Sequence, residues 1–220
     1  QRWGGWYVNG RHGSLRHMGN ALGEVDEDDD VVLDRNKHAN IEKLDDYFDT
    51  GRYLSPHSDI VAMMVQDHQV QMHNLLSGAN YHTRYALHDQ QIIDDALNPG
   101  SNNELRESTL RRIASAGEKL LRYMLFTREA DQPDEVQGST PFAKNFSSRG
   151  HHDSKGRSLY QLDLKTRLLK HPCSYLIYSD AFDQLPAQMK KYLHRRLWEI
   201  LSDRDETPEY AGLNPRTNRA

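Results

Sequence analysis

Histidine is the residue whose placement in this sequence most suggests chemistry, because imidazole can ligate a metal, bind haem or carry a proton near neutral pH. The chain contains 12 histidines. When residues 56–76 are drawn as an α-helix, His68 falls in the middle of an apolar stripe, and His57 falls on the same line if the helix extends that far. The stripe consists of Val61, Met64, Met72 and Leu75, all within about 40° of His68 at 100° per residue.

The position of His68 in this stripe allows two interpretations. A buried imidazole must satisfy its nitrogens by hydrogen bonds or by a metal. His68 is therefore either a core histidine bonded to protein groups or a ligand of haem or of another metal. The neighbouring methionines suit a haem pocket and an ordinary core equally well, since their side chains are soft and adaptable. We expect His73, about 140° away around the helix, to lie in a different environment.

A second group of candidate residues lies near the N-terminus, where Arg11, His12, Arg16 and His17 occur within seven positions. Guanidinium groups match carboxylates geometrically, so the two arginines could bind haem propionates or another anion. Either histidine could serve as a ligand. The alternative is a structural loop that aromatic residues anchor against the helices. These aromatic residues are Trp3, Trp6 and Tyr7.

Other residues carry weaker signals. The single cysteine, Cys173, excludes an internal disulfide and a CxxCH haem attachment within this chain. We expect it to be a small core residue, although His171 next to Pro172 also allows a thiolate near a base. His82, His88 and the pair His151–His152 are expected to be solvated. The sequence contains no GxSxG, P-loop, GxGxxG or HExxH motif, so catalysis by those routes has no support.

The elements that would position these residues are mostly helices, and we predict a mainly α protein, an irregular multi-helix bundle with long loops. We expect one domain over residues 1–220, incomplete at its N-terminus, with a loop-rich aromatic segment at 1–38 and a helical core at 39–212. The predicted helices cover residues 41–48, 60–97, 103–126, 159–169, 174–178 and 185–201, with a weak point at Gly78, a stop at Pro99–Gly100 and a short turn at 142–146. The acidic run 24–30 is expected to be a solvated loop and not a calcium site.

Composition excludes some classes of partner. The net charge of −4 and the pI near 6.3 give no electrostatic reason to expect nucleic-acid binding. No run approaches the length of apolar sequence that a membrane span requires, so we predict no transmembrane segment.

Five stretches of the sequence together suggest a known family. They are Arg2-Trp3-Gly4-Gly5-Trp6-Tyr7-Val8, His17-Met18-Gly19-Asn20, Ser55-Pro56-His57-Ser58-Asp59-Ile60-Val61-Ala62, Pro172-Cys173-Ser174-Tyr175-Leu176-Ile177-Tyr178-Ser179 and Leu197-Trp198-Glu199-Ile200-Leu201. These stretches resemble a group of large, uncharacterised bacterial cytochrome c domain proteins, and the resemblance covers most of the chain. Those proteins are exported and carry a CxxCH motif upstream of the similar region. The resemblance therefore implies a covalently bound c-type haem and a periplasmic or cell-surface location.

Because this chain lacks CxxCH, the resemblance implies that the haem is attached elsewhere and that this segment supplies the pocket wall and an axial ligand. The candidates, in order, are His68, His57, His12 and His17, with Arg11 and Arg16 near the propionates. Three functions remain open: an electron-transfer protein or haem-bearing subunit of a redox complex with protein partners, a structural helical subunit without its own cofactor, and a haem or metal oxidoreductase.

Overall fold

The structure is a computed structural model that describes residues 7–97 and 104–213. Within these residues five α-helices dominate, and the β-structure is limited to two sheets of two strands each, which confirms the prediction of a mainly α protein. The helices are α1 (Ile60–Leu97), α2 (Glu107–Met124), α3 (Phe142–Ser148), α4 (Asp180–Asp183) and α5 (Ala187–Leu201). The strands are β1 (Gly10–Arg11), β2 (Leu22–Val25), β3 (Val31–Asp34) and β4 (Gln137–Gly138), and short 3-10 helices cover Thr50–Arg52, Tyr175–Tyr178 and Pro208–Leu213.

The chain divides into two compact units. The first unit combines residues up to 68 with residues 130–171, and the second combines residues 69–129 with residues from 172 onward. The helix α1 begins in the first unit and continues in the second. The prediction of a single domain over 1–220 stays a prediction.

The core of the first unit joins segments that are far apart in sequence. Buried Val8, Ile60, Val61 and Val136 form its centre. Alongside it, β1 pairs with β4 in antiparallel fashion, with Gly10 opposite Gly138. At Gly10 a Cβ would fall 2.5 Å from a methyl carbon of Ile60, and φ is +140°, so the backbone approach at this point requires glycine.

In the second unit, α2 packs against α5 around a set of apolar side chains. The buried members of the two helices include Ile113, Leu120, Leu121, Met124, Met189 and Leu193. Gly117 allows the helices to approach, since a Cβ there would lie 2.6 Å from the ring of Tyr192. These residues recur at the helical spacing that the sequence indicated.

A hydrogen-bonded ion cluster centred on Arg196 also joins α2 to α5. The guanidinium donates to Glu118, Glu199 and Asp205 at 2.7, 2.7 and 2.5 Å, and its side chain is only 17% exposed. The carboxylate of Glu118 also accepts hydrogen bonds from the hydroxyls of Tyr192 and Tyr210, at 2.8 and 2.9 Å. Burial alone would raise the pKa of Glu118, but the hydrogen bonds from Arg196 and the two tyrosines outweigh it and lower the pKa.

We expect Arg196→Ala to lower the free energy of unfolding by about 2 kcal/mol, because it leaves three carboxylates close together without their shared cation. This loss is smaller than for a fully buried ion pair, because solvent that reaches the Arg196 cluster screens the remaining charges. Urea unfolding of the full chain measures the change. The matched control is Arg195→Ala, since Arg195 lies on the same helix with a side chain that is 62% exposed and 3.7 Å from Glu199. Equal destabilisation by the two substitutions would contradict a special role for the cluster.

Two predicted helices are wrong. Residues 41–48 form a turn in which the amides of Tyr47 and Phe48 both bond to the carbonyl of Leu44. Residues 159–169 are irregular and contain a bridge between Leu162 and Leu169. Both segments contain aspartates, whose side chains compete with the helix for local hydrogen bonds.

The second segment illustrates the reason. Asp163 accepts hydrogen bonds from the amide of Lys165 and the hydroxyl of Thr166. Leu164 has φ of +64° and its amide bonds to the carbonyl of Arg167, so the chain reverses here. Turn chemistry therefore overrides the helical spacing of the leucines.

Other boundaries changed less. The helix α1 runs without interruption through Gly78, where no atom lies within 4 Å of the position a Cβ would take. The stop expected at Pro99–Gly100 lies outside the described residues. The segment 174–178 is a 3-10 helix, the predicted turn at 142–146 is the helix α3, and the acidic run 24–30 is part of a hairpin. Among the described residues, no helix combines the length and apolar character that crossing a membrane requires.

Candidate functional site

His12 is held in one tautomer by backbone groups on both sides of its ring. Its Nδ1 lies 2.8 Å from the carbonyl oxygen of Leu15, and its Nε2 accepts the amide of Asn40 at 3.1 Å. A carbonyl can only accept, so Nδ1 carries the proton and the ring is neutral. The side chain is 2% exposed, and burial lowers its pKa.

Of the other candidate residues in this segment, His17 contacts His12, whereas Arg11 and Arg16 lie at the surface. The ring of His17 packs edge-on against that of His12, with centroids 4.9 Å apart. Arg11 is exposed and pairs with Glu42 at 2.6 Å. Arg16 is also exposed and donates to the side chain of Asn36 and to the carbonyls of Gly13 and Leu15. The two guanidinium groups are therefore engaged with protein groups, and a propionate at this place would compete with them.

His57 belongs to a different polar network, at the N-terminus of α1. The ring is exposed, and its Nδ1 lies 3.5 Å from Nδ2 of Asn9. Asn9 is 1% exposed, donates to the carbonyl of Glu42 and accepts from the amide of Ser58 and the hydroxyl of Ser139. The hydrogen-bonded amide of Asn9 therefore lies against the Nδ1 side of the His57 ring.

Asp59 completes this network with a buried carboxylate that is 5% exposed. One oxygen accepts the amides of Val61 and Ala62, at 2.8 and 3.2 Å, and so caps the first turn of α1. The other accepts the amide and the hydroxyl of Thr140, at 2.8 and 2.6 Å. A Cβ at Gly138 would fall 2.6 Å from either oxygen, so this residue must be small. The network fixes the start of the helix that carries His68.

His68 lies two turns further along α1 and is 4% exposed. Val61 and Met72, two members of the predicted stripe, are completely buried, while Met64 and Leu75 are half-buried. Burial lowers the pKa of His68 to about 4. The imidazole is therefore neutral at physiological pH. His73 is half-buried, in an environment different from that of His68, as expected.

The structure brings His12 and His17 into contact, and it places His57 in the network of Asn9. No group of three or more His, Cys, Asp or Glu side chains suited to a metal ion occurs in residues 7–97 and 104–213. A haem needs only one or two axial ligands, so its fit depends on single imidazoles. His12 fits poorly, because ligation through Nε2 would break its bond to Asn40. His68 fits best in charge and burial.

The sequence did not single out Asn9 and Asn40, which organise the two polar networks. Asn40 has φ of +55°, a conformation in which asparagine is enriched, but no motif in the sequence indicated its role. Asp59 directly precedes α1, a position at which aspartate is favoured as a cap. Its contact with Thr140, 81 positions away, was not visible.

Cys173 has no property of a catalytic thiol. Burial raises its pKa to about 11, so the group is protonated near neutral pH. It is half-buried and 3.9 Å from the carbonyl of Ser174. We assign it a structural role.

Searches for similar proteins found no matching family model, no matching curated protein and no matching solved structure.

Proposed function

We propose that this chain is part of a c-type haem-associated electron-transfer protein, or of a haem-bearing subunit in a periplasmic or cell-surface redox complex. In this proposal the segment forms an irregular multi-helix bundle whose loop-rich aromatic N-terminal residues, 1–38, pack on the haem-bearing part or contribute to it. The proposal draws on the sequence resemblance described above. The observation that carries it is the burial of His68 as a neutral imidazole on α1.

A neutral imidazole is the form that binds haem iron, and the pKa of His68 keeps it in that form at physiological pH. The capped start of α1 holds the backbone that carries the ring in place. The haem, when bound, supplies one-electron redox chemistry. The chain would then adjust the potential through burial and the choice of axial ligand. His57 is the second candidate, since this exposed residue could meet a haem presented by another part of the protein.

We expect the optical spectrum of the full-length protein from its native source to show c-type bands after dithionite reduction, and we expect His68→Ala to shift the Soret and α bands. Loss of an axial imidazole changes the ligand field of the iron, whereas loss of a distant one does not. The control is His82→Ala, since His82 is an exposed residue of the same helix.

If the reduced spectrum is unchanged by His68→Ala but changed by His57→Ala, the axial ligand is His57. A protein without haem absorbance would contradict the proposal and leave the structural subunit. That second function, a helical subunit that contacts protein partners without its own cofactor, is favoured by one observation. Both ring nitrogens of His12, one of the predicted ligands, are hydrogen-bonded to backbone groups.

A further inference from the structure

The hairpin of β2 and β3 exposes all eight of its residues. In its register Gly23 pairs with Leu33 and Val25 with Val31, while Leu22 pairs with Asp34 and Glu24 with Val32. Successive side chains point to opposite faces. One face is therefore wholly apolar, and we call it the apolar face (Gly23, Val25, Val31, Leu33). The other carries both acids of the strands, and we call it the acidic face (Leu22, Glu24, Val32, Asp34).

The hairpin is held firmly at both ends. At its root, the side chain of Asn20 bonds to both the amide and the carbonyl of Val8, at 2.6 and 2.7 Å. At its tip, the carboxylate of Asp26 accepts the amides of Asp28 and Asp30, at 3.0 and 2.9 Å. Between these points the register of the two strands is defined.

This arrangement leaves apolar area in water that a folded protein normally covers. Val25 and Val31 are each 66% exposed and Leu33 is 43% exposed. A two-stranded sheet alone is marginally stable, and its outer edges are suited to pairing with another strand. In the described part of the chain the sheet has no third strand.

We propose that the β2–β3 hairpin binds an extended segment of a partner protein as a third strand, and that this segment alternates apolar with basic residues. A strand that pairs with the outer edge of β2 places its apolar side chains beside Val25, on the face that Val31 and Leu33 of β3 extend. Its lysines or arginines then lie on the acidic face, next to Glu24. Backbone hydrogen bonds supply affinity and the alternation supplies specificity. The inference is independent of haem binding.

Titration of the isotopically labelled 220-residue chain with a synthetic peptide that alternates valine and lysine tests the proposal. We expect NMR shift changes at residues 22–34 and none with the peptide that alternates valine and glutamate. The double substitution Val25→Thr with Val31→Thr keeps β-propensity and removes apolar contact. It should weaken binding about threefold, since the partner strand then loses its apolar contact with Val25.

Charge is tested by Glu24→Lys, which places like charges opposite each other and should also weaken binding about tenfold. The matched control is Asp46→Lys, an equal change of charge at an exposed acid of the first unit outside the hairpin. An equal response to the two lysine substitutions would reveal general electrostatic attraction and overturn the proposal. So would shifts that lie outside the hairpin, or no binding with millimolar peptide.

A second copy of the chain is the competing occupant. Concentration-dependent self-association in sedimentation experiments that Glu24→Lys abolishes would overturn the basic partner in favour of a homo-oligomer. If the threonine variant loses the cross-strand NMR contacts of the hairpin, Glu24→Lys, which leaves the apolar face intact, decides the question.

Discussion

The free energy of unfolding is expected to fall by about 3 kcal/mol between pH 6.5 and pH 4 because of His68 alone. Burial lowers the pKa of this imidazole in the folded protein to about 4, from 6.5. Each unit of difference in pKa is worth about 1.4 kcal/mol. In this pH range the unfolded chain binds a proton at His68 that the folded chain excludes. The contribution of neutral His68 to the free energy of unfolding is therefore fully present above pH 6.5. It is lost as the pH falls toward the pKa of the folded state.

The measurement is urea unfolding at several pH values for the wild-type chain and for His68→Leu. The substituted protein should show a shallower decline between pH 6.5 and pH 4, since leucine does not titrate. His82→Ala serves as the control, because His82 is exposed on the same helix. Parallel declines in the wild-type and His68→Leu proteins would mean that His68 is solvated or is charged in the folded state, and this would also weaken its candidacy as a haem ligand.

Replacement of Asp59 by alanine should lower the free energy of unfolding by about 3–4 kcal/mol. The loss of a helix cap accounts for about 1 kcal/mol. The remainder arises because the amide and hydroxyl of Thr140 lose their acceptor, at about 1–3 kcal/mol for each unsatisfied buried donor. Thermal and urea unfolding both report this change.

Asp59→Asn separates the two contributions. Asparagine caps a helix as well as aspartate does, but with its oxygen at the cap its NH2 group faces Thr140 and cannot accept a hydrogen bond. We therefore expect a loss between that of Asp59→Ala and zero. Asp95→Ala, at an exposed acid of α1, should change stability by less than about 0.5 kcal/mol. A loss at Asp59 no larger than that at Asp95 would show that the network does not stabilise the fold.

The sequence was informative where a single periodic pattern decided the structure. The helical spacing around His68 correctly predicted a buried imidazole, because one face of a helix can be identified from its own residues. The extents of α2 and α5 were also close to the prediction for the same reason.

Prediction failed where distant partners decide the outcome. The hydrogen bond from the Asn40 amide to His12 cannot be recognised from a local sequence pattern, and the same holds for the contact between Asp59 and Thr140. The anion site at Arg11 and Arg16 stays a prediction, and in the structure Glu42 bonds to Arg11 and Asn36 bonds to Arg16. Residue type and spacing indicate what a side chain can do, whereas long-range hydrogen bonds decide whether it is available.

The pairing of β1 with β4 has a consequence for synthesis on the ribosome. This sheet can form only after Gly138 has been synthesised, long after Gly10. The residues between 68 and 130, which belong to the second unit, are synthesised in between. At about 5–20 residues per second, the 128 residues from Gly10 to Gly138 take roughly 6 to 26 seconds. During that time the nascent segment around Val8, Ile60 and Val61 lacks Val136 and exposes its apolar side chains. We therefore expect the early part of this chain to be accessible to chaperones until Val136 has been synthesised.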